Sequence, residues 1–167
     1  MKNKNKIIHY INILLVILCM LTIFLFSCEN SEKSTERTES FINSVINVSG
    51  GENTITSVSN SKTGDDNILF SIVRKSAHFI EFFLLGFLVV NLIKDYKKLN
   101  IKIILLCILF CMLYAVSDEI HQYYVDGRSC QIIDVFIDTV GSSLGGLFYY
   151  LLYSKHHKVK VLKKSDF

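Results

Sequence analysis

The chain has 167 residues, 50% of them hydrophobic, with a mean hydropathy of +0.37 and neither tryptophan nor proline. That length fits one domain, and apolar content gathered in blocks reads as a membrane protein rather than a soluble core. The net charge of +3 comes with no basic stripe interleaved with aromatics, so nucleic acid is excluded as an expected partner, and five cysteines without a CxxC pair give no ground for a metal site.

Residues 1–6 are basic, and Ile7–Phe26 follows as an uncharged run of twenty residues, about 30 Å of helix and a full hydrocarbon thickness. Leu25-Phe26-Ser27-Cys28 is similar to the end of a lipoprotein signal peptide, with Cys28 as the lipidated residue. Phe26 is bulky for such a cleavage site, however, and the apolar run exceeds the ~7–15 residues of a signal. A retained first span over 7–26 is therefore expected. From Ser27 the composition turns to Ser, Thr, Asn, Glu and Gly, which reads as a solvated loop over 27–73 with little to bury. Within it, Ser40–Ile46 has the pattern of two turns of amphipathic helix lying on a membrane.

The uncharged stretch Phe82–Ile93 is only twelve residues and cannot cross alone. The second span must begin near Arg74, giving 74–93 and taking His78 and Glu81 into the bilayer. A basic turn, Lys94–Asn100, follows. Ile103–Ser117 is fifteen residues, again too short, so the third span extends over 103–122 and carries Asp118, Glu119 and His121 in its last turns. Tyr123–Gln131 is a loop with a turn signal at Asp126-Gly127-Arg128. The fourth span, 132–153, has Asp134 and Asp138 near its start, and residues 154–167 form a basic tail. Cys19, Cys107 and Cys111 lie in apolar runs and read as small hydrophobes, while no spacing argument pairs Cys28 with Cys130. Tyr114, Tyr123, Tyr124, Tyr149, Tyr150 and Tyr153 read as interfacial anchors.

The expected fold is an all-α integral membrane four-helix bundle. Lysine and arginine number three at the N-terminus, four in the 94–102 turn and five in the tail, twelve of 18 in the chain. The positive-inside rule then puts both termini in the cytoplasm of a bacterial cell membrane, with 27–73 and 123–131 outside. The two short connections make the last three helices antiparallel neighbours in sequence order.

A charge in hydrocarbon costs about 2.5–3.5 kcal/mol on insertion scales, so embedded ionisable groups are usually paired and functional. Arg74, His78 and Glu81 recur at i, i+4 and i+7, one stripe of a helix. Asp134, Asp138, Gly141 and Gly145 make a similar stripe, and Gly141–Gly145 is a GxxxG motif that admits a close neighbour. Asp118 and Gln122 stack at i, i+4, while Glu119 points off that line. These residues predict one polar pocket near the outer leaflet. Arg74, Lys75 and Arg128 are its candidates for holding an anionic headgroup, and Glu81, Asp118, Glu119, Asp134 and Asp138 would position those cations. Catalysis stays open: His78-Phe79-Ile80-Glu81 and Asp118-Glu119-Ile120-His121 each set an imidazole one turn from a carboxylate, a pairing used for metal ligation or acid–base work. His78, Glu81, Asp118 and Glu119 are the catalytic candidates, without an HExxH or Gly-x-Ser-x-Gly motif to name a reaction or cofactor. The plainer alternative is a set of interhelical salt bridges that fix registry.

The segments Arg74-Lys75-Ser76-Ala77-His78-Phe79-Ile80-Glu81-Phe82, Ser117-Asp118-Glu119-Ile120-His121-Gln122 and Asp126-Gly127-Arg128-Ser129, followed by Asp134, Asp138 and Gly141, resemble the VanZ-like membrane proteins. The resemblance covers residues 7–153, including Phe26-Ser27 at the end of the first helix. It departs from the family pattern at Phe82, where a tyrosine is usual, and at Asp126, where proline is usual and stiffens the turn. It implies a bacterial integral membrane protein, linked through the family's founding member to low-level resistance to teicoplanin, a lipid-tailed glycopeptide antibiotic. The expected partners are accordingly a membrane lipid, a lipid-linked envelope component or the antibiotic itself. Kinship at the level of fold does not settle which.

Overall fold

A computed structural model of the chain describes residues 2–29, 36–41, 44, 64–96, 98–125 and 131–165. Among them the protein is all-α, with α1 at Lys2–Ser27, α2 at Gly64–Ile93, α3 at Ile101–Tyr123 and α4 at Ile132–Ser165. Four stretches are long and apolar enough to cross a membrane: Lys6–Ser27, Ser71–Ile93, Ile101–Tyr123 and Ile132–Lys155. Helix α2 begins ten residues before Arg74, and α4 runs through most of the basic tail. Residues 36–41 and 44 are also helical, starting upstream of the amphipathic stretch expected at 40–46, part of which lies outside the described residues. Arg37 pairs with Glu29 and sits over the Phe26 ring, 4.6 Å from its centroid, which ties this segment to the end of α1.

Helix α3 starts at a side-chain cap: Asn100, in extended backbone, accepts the Ile103 amide at 3.0 Å, satisfying one of the first-turn donors. The short connections make α2, α3 and α4 alternate in direction, so α2 and α4 run parallel. These two form the closest pair in the bundle. A Cβ on Gly141 would lie 2.6 Å from the Phe79 carbonyl oxygen, and one on Gly145 would lie 2.8 Å from the Phe83 carbonyl carbon. From the other helix, a Cβ on Gly86 would come 2.8 Å from Ser142 Cα. The glycines of α4 thus seat the backbone of α2, with Gly86 returning the fit. Small residues at such crossings let dispersion act between backbones where lipid removes any hydrophobic drive.

Helix α1 packs antiparallel to α2 and parallel to α3, as shown by the contacts Cys19 to Glu81, Asn12 to Asn91 and Ser27 to Asp118. The buried core includes Val16, Ile23, Phe82, Leu85, Val90 and Ala115. Cys19, Cys107 and Cys111 are buried free thiols within it. Leu14, Leu21, Leu106, Leu113 and Leu151 face outward, as lipid requires and water would not. One tyrosine read as an anchor has an inner role instead: Tyr114 donates to the Met20 carbonyl at 2.7 Å. A phenol that finds a buried acceptor is worth more to packing than to the interface. Tyr123 and Tyr124 are exposed.

Candidate functional site

The end of the bundle where α1 and α3 finish and α4 begins holds most of the ionisable residues singled out in the sequence. A small cavity of about 10 Å³, room for roughly one water, is lined by Arg74, Lys75, His78, Glu119, Gln122, Asp134, Ile137 and Asp138. Helical spacing explains the convergence: Arg74, Lys75 and His78 occupy one turn of α2, and Asp134 and Asp138 are one turn apart on α4.

Each group has a distinct setting. Lys75 pairs with Asp134 and also donates to Gln131 Oε1 at 3.1 Å. Glu119 points away from the Asp118–Gln122 pair: it is buried, lines the cavity, and its Oε1 accepts the Gln131 backbone amide at 2.6 Å. Gln131 flanks the start of α4, and its amide meets Glu119 across the two helices, a partner that a helical projection of α3 alone does not reveal. His78 Nδ1 lies 4.0 Å from Glu81 Oε2. Glu81 and Asp118 are not among the cavity-lining residues.

Asp118 belongs to a buried three-residue knot. Ser27 Oγ donates to Asp118 Oδ2 at 2.8 Å, and Gln122 Nε2 donates to Asp118 Oδ2 at 2.9 Å and to Ser27 Oγ at 3.2 Å. The knot joins the end of α1 to the last turn of α3. His121 is directed elsewhere, stacked on Phe24 with ring centroids 4.6 Å apart and with Nε2 at 3.2 Å from Cys28 Sγ. Arg128 and Cys130 lie outside the described residues.

Among the described residues this end gathers the carboxylates Glu81, Asp118, Glu119, Asp134 and Asp138 with the permanent cations Arg74 and Lys75, and the Arg37–Glu29 pair closes the end of α1 beside them. Lys75 is committed to Asp134, whereas Arg74 is half-buried and makes no ion pair among the described residues. Three buried oxygens, Glu81 Oε2, Asp118 Oδ1 and Asp138 Oδ1, have no hydrogen-bond partner among those residues. Leaving such atoms unsatisfied is costly, so they mark where water or a polar ligand group is wanted. No group of three or more His, Cys, Asp or Glu able to hold a metal ion occurs among the described residues.

Ser27 and Gln131 are the residues of this end that reading the sequence for charge did not single out. Ser27 closes the first apolar run and Gln131 the loop before the fourth. Neither is ionisable, so a search for embedded charge passes over both. A family model described as VanZ/LLP1 matches residues 12–153. No curated protein and no solved structure matches the chain.

Proposed function

The chain belongs to the VanZ/LLP1 family and is a multi-pass membrane protein, and from that premise we propose that it is a bacterial envelope protein whose polar cavity takes an anionic group at the outer leaflet. The reading includes low-level protection against teicoplanin-type lipoglycopeptides, whose lipid tail holds them at the membrane surface. The observation that carries it is Arg74: a half-buried residue lining the cavity, without an ion pair among the described residues, beside a lysine already bound to Asp134. Guanidinium is the side chain best shaped for a carboxylate or phosphate. Lys75, offered by the sequence as a second anion-holding cation, orients Asp134 instead, and Arg128 stays a candidate by its sequence position alone.

The test is susceptibility to teicoplanin and to vancomycin, with and without the protein, at matched membrane levels. Wild type is expected to protect against teicoplanin alone. Arg74→Gln removes a charge-assisted contact worth about 1.5–3 kcal/mol and should abolish protection while the protein still accumulates. Equal protection by Arg74→Gln would remove the anion from the reading.

A second reading, a membrane-embedded hydrolase or transferase acting on an envelope lipid, draws on the His78–Glu81 pair and the unsatisfied carboxylate oxygens. It expects Glu81→Gln to abolish the phenotype while lipid binding persists. A pure binding pocket expects the two to fall together.

Orientation is checked with native thiols. Cys28 is exposed, whereas Cys19, Cys107 and Cys111 are buried. With both termini in the cytoplasm, an impermeant maleimide should label Cys28 on intact cells of a Cys130→Ser strain, and Cys28→Ser should remove the signal. Labelling that appears only after the cells are opened would reverse the topology.

A further inference from the structure

The opposite end of the bundle carries a second polar network that no charge pattern in the sequence announced. Lys94, one residue past the α2 span, donates to Asn91 Oδ1 at 2.6 Å and to Tyr149 OH at 2.6 Å, and its ammonium lies 5.2 Å from the Tyr149 ring centroid. Both acceptors are neutral, and Lys94 makes no ion pair among the described residues. An ammonium has three donors, so one remains while the other two fix its position. The neighbouring carboxylate is turned away. Asp95 accepts from Asn12 Nδ2 at 3.3 Å and lies 3.5 Å from His9 Nδ1, while His9 Nε2 is hydrogen-bonded to the Tyr96 hydroxyl.

Lys94, Asp95, His9 and Tyr96, together with Lys6, line a cavity of about 570 Å³ that is open to the surroundings. Among the described residues the carboxylate lining it is Asp95, which is already held by α1. Lys6 opens the α1 span and Lys94 follows Ile93, the last residue of the α2 span, and span ends are where hydrocarbon gives way to headgroups. Tyr10 and Tyr96 line the same cavity and are 67% and 63% exposed, the placement expected of phenols at a headgroup level.

We propose that this cavity is a binding site for the phosphate of an anionic phospholipid, held between Lys94 and Lys6 with the lipid's glycerol against Tyr10 and Tyr96. The preorganised ammonium of Lys94 supplies the stronger contact, because it makes no ion pair among the described residues and its rotamer is already fixed by two hydrogen bonds. Lys6 adds a screened, longer-range attraction. The site is independent of Arg74, which lies at the far end of the bundle.

The experiment is thermal unfolding of the full chain in an uncharged detergent, followed by far-ultraviolet circular dichroism. Phosphatidylglycerol, phosphatidylcholine and inorganic phosphate are titrated separately. A ligand that binds only the folded state raises the unfolding temperature with its concentration. Phosphatidylglycerol should raise it and phosphatidylcholine should not. Lys94→Gln should weaken the apparent affinity by about tenfold or more, the scale of one charge-assisted hydrogen bond, and Lys6→Gln by a smaller factor. The Lys94→Gln loss should persist in an Arg74→Gln background, since distant sites act independently. Should Lys94→Gln fail to fold, Lys6→Gln, an exposed residue, still reports. Unchanged phosphatidylglycerol stabilisation in the lysine variants would overturn the site. A full response to inorganic phosphate would reassign it to a soluble anion, and an equal response to phosphatidylcholine would reduce it to general lipid solvation.

Discussion

Gly145→Ala should unfold the bundle or strip it from the membrane, more severely than any other added methyl on α4. The new Cβ would overlap the Phe83 carbonyl, 2.8 Å from its carbon and 3.1 Å from Phe83 Cα. Those are backbone atoms of a long helix and cannot rotate aside. Relief requires α2 and α4 to separate along their contact, which also opens the mirror fit of Gly86 against Ser142. Overpacking a tight core costs about 1–3 kcal/mol and occasionally more, and this site belongs at or beyond the top of that range. Gly146→Ala provides the contrast, because its Cβ would meet Val90 Cγ2 at 3.2 Å, a methyl that can yield. Unfolding in mixed micelles, with accumulation measured in parallel, should rank Gly145→Ala and Gly86→Ala well below Gly146→Ala. Equal stability of the three would mean that α2 and α4 are not in this register.

Ser27→Ala should cost about 1–3 kcal/mol, the penalty for stripping a buried polar group of a partner. Ser27 Oγ is both a donor to Asp118 and an acceptor from Gln122, so one deletion leaves two neighbours short. A double-mutant cycle over Ser27→Ala and Asp118→Asn should give a coupling of about 0.5–3 kcal/mol, whereas independent sites add within ~0.3–0.5 kcal/mol. The cycle also separates structure from function. The knot joins α1 to α3, and of its members only Gln122 lines the cavity while Ser27 and Asp118 do not, so Ser27→Ala should lower stability more than it lowers any antibiotic phenotype. Additive single effects would show that the knot does not form. A lost phenotype at unchanged stability would move Ser27 into the binding machinery.

The two ends of the bundle are built on different principles. Near Arg74, carboxylates outnumber the described permanent cations, and several buried carboxylate oxygens have no hydrogen-bond partner among the described residues. Near Lys94, neutral amides and phenols hold a cation in place. Asn12 and Asn91, each alone in an apolar run, are satisfied by one another across α1 and α2 at 3.2 Å. Helices in lipid gain from such cross-helix hydrogen bonds because an unpaired amide has no water to turn to.

The number and kind of helices were legible in the residues, because spanning about 30 Å of hydrocarbon demands about 20 apolar residues and leaves no alternative element for them. The requirement that short runs be lengthened is what put His78, Glu81, Asp118 and Glu119 inside the spans. Parallel stripes on α2 and α4 also marked which faces meet, and the GxxxG on α4 marked a close approach. Pairing was decided only in three dimensions. That Lys75 is engaged by Asp134 while Arg74 is not, that Glu119 turns inward to the Gln131 amide, and that Gly86 answers Ser142 all depend on the rotation and depth of one helix against another. So does the Lys94 network, whose members are mostly uncharged and come from three helices. Periodicity fixes the angle of a side chain about its own axis; the register between helices follows from packing of small residues and backbone, and no single segment contains that information.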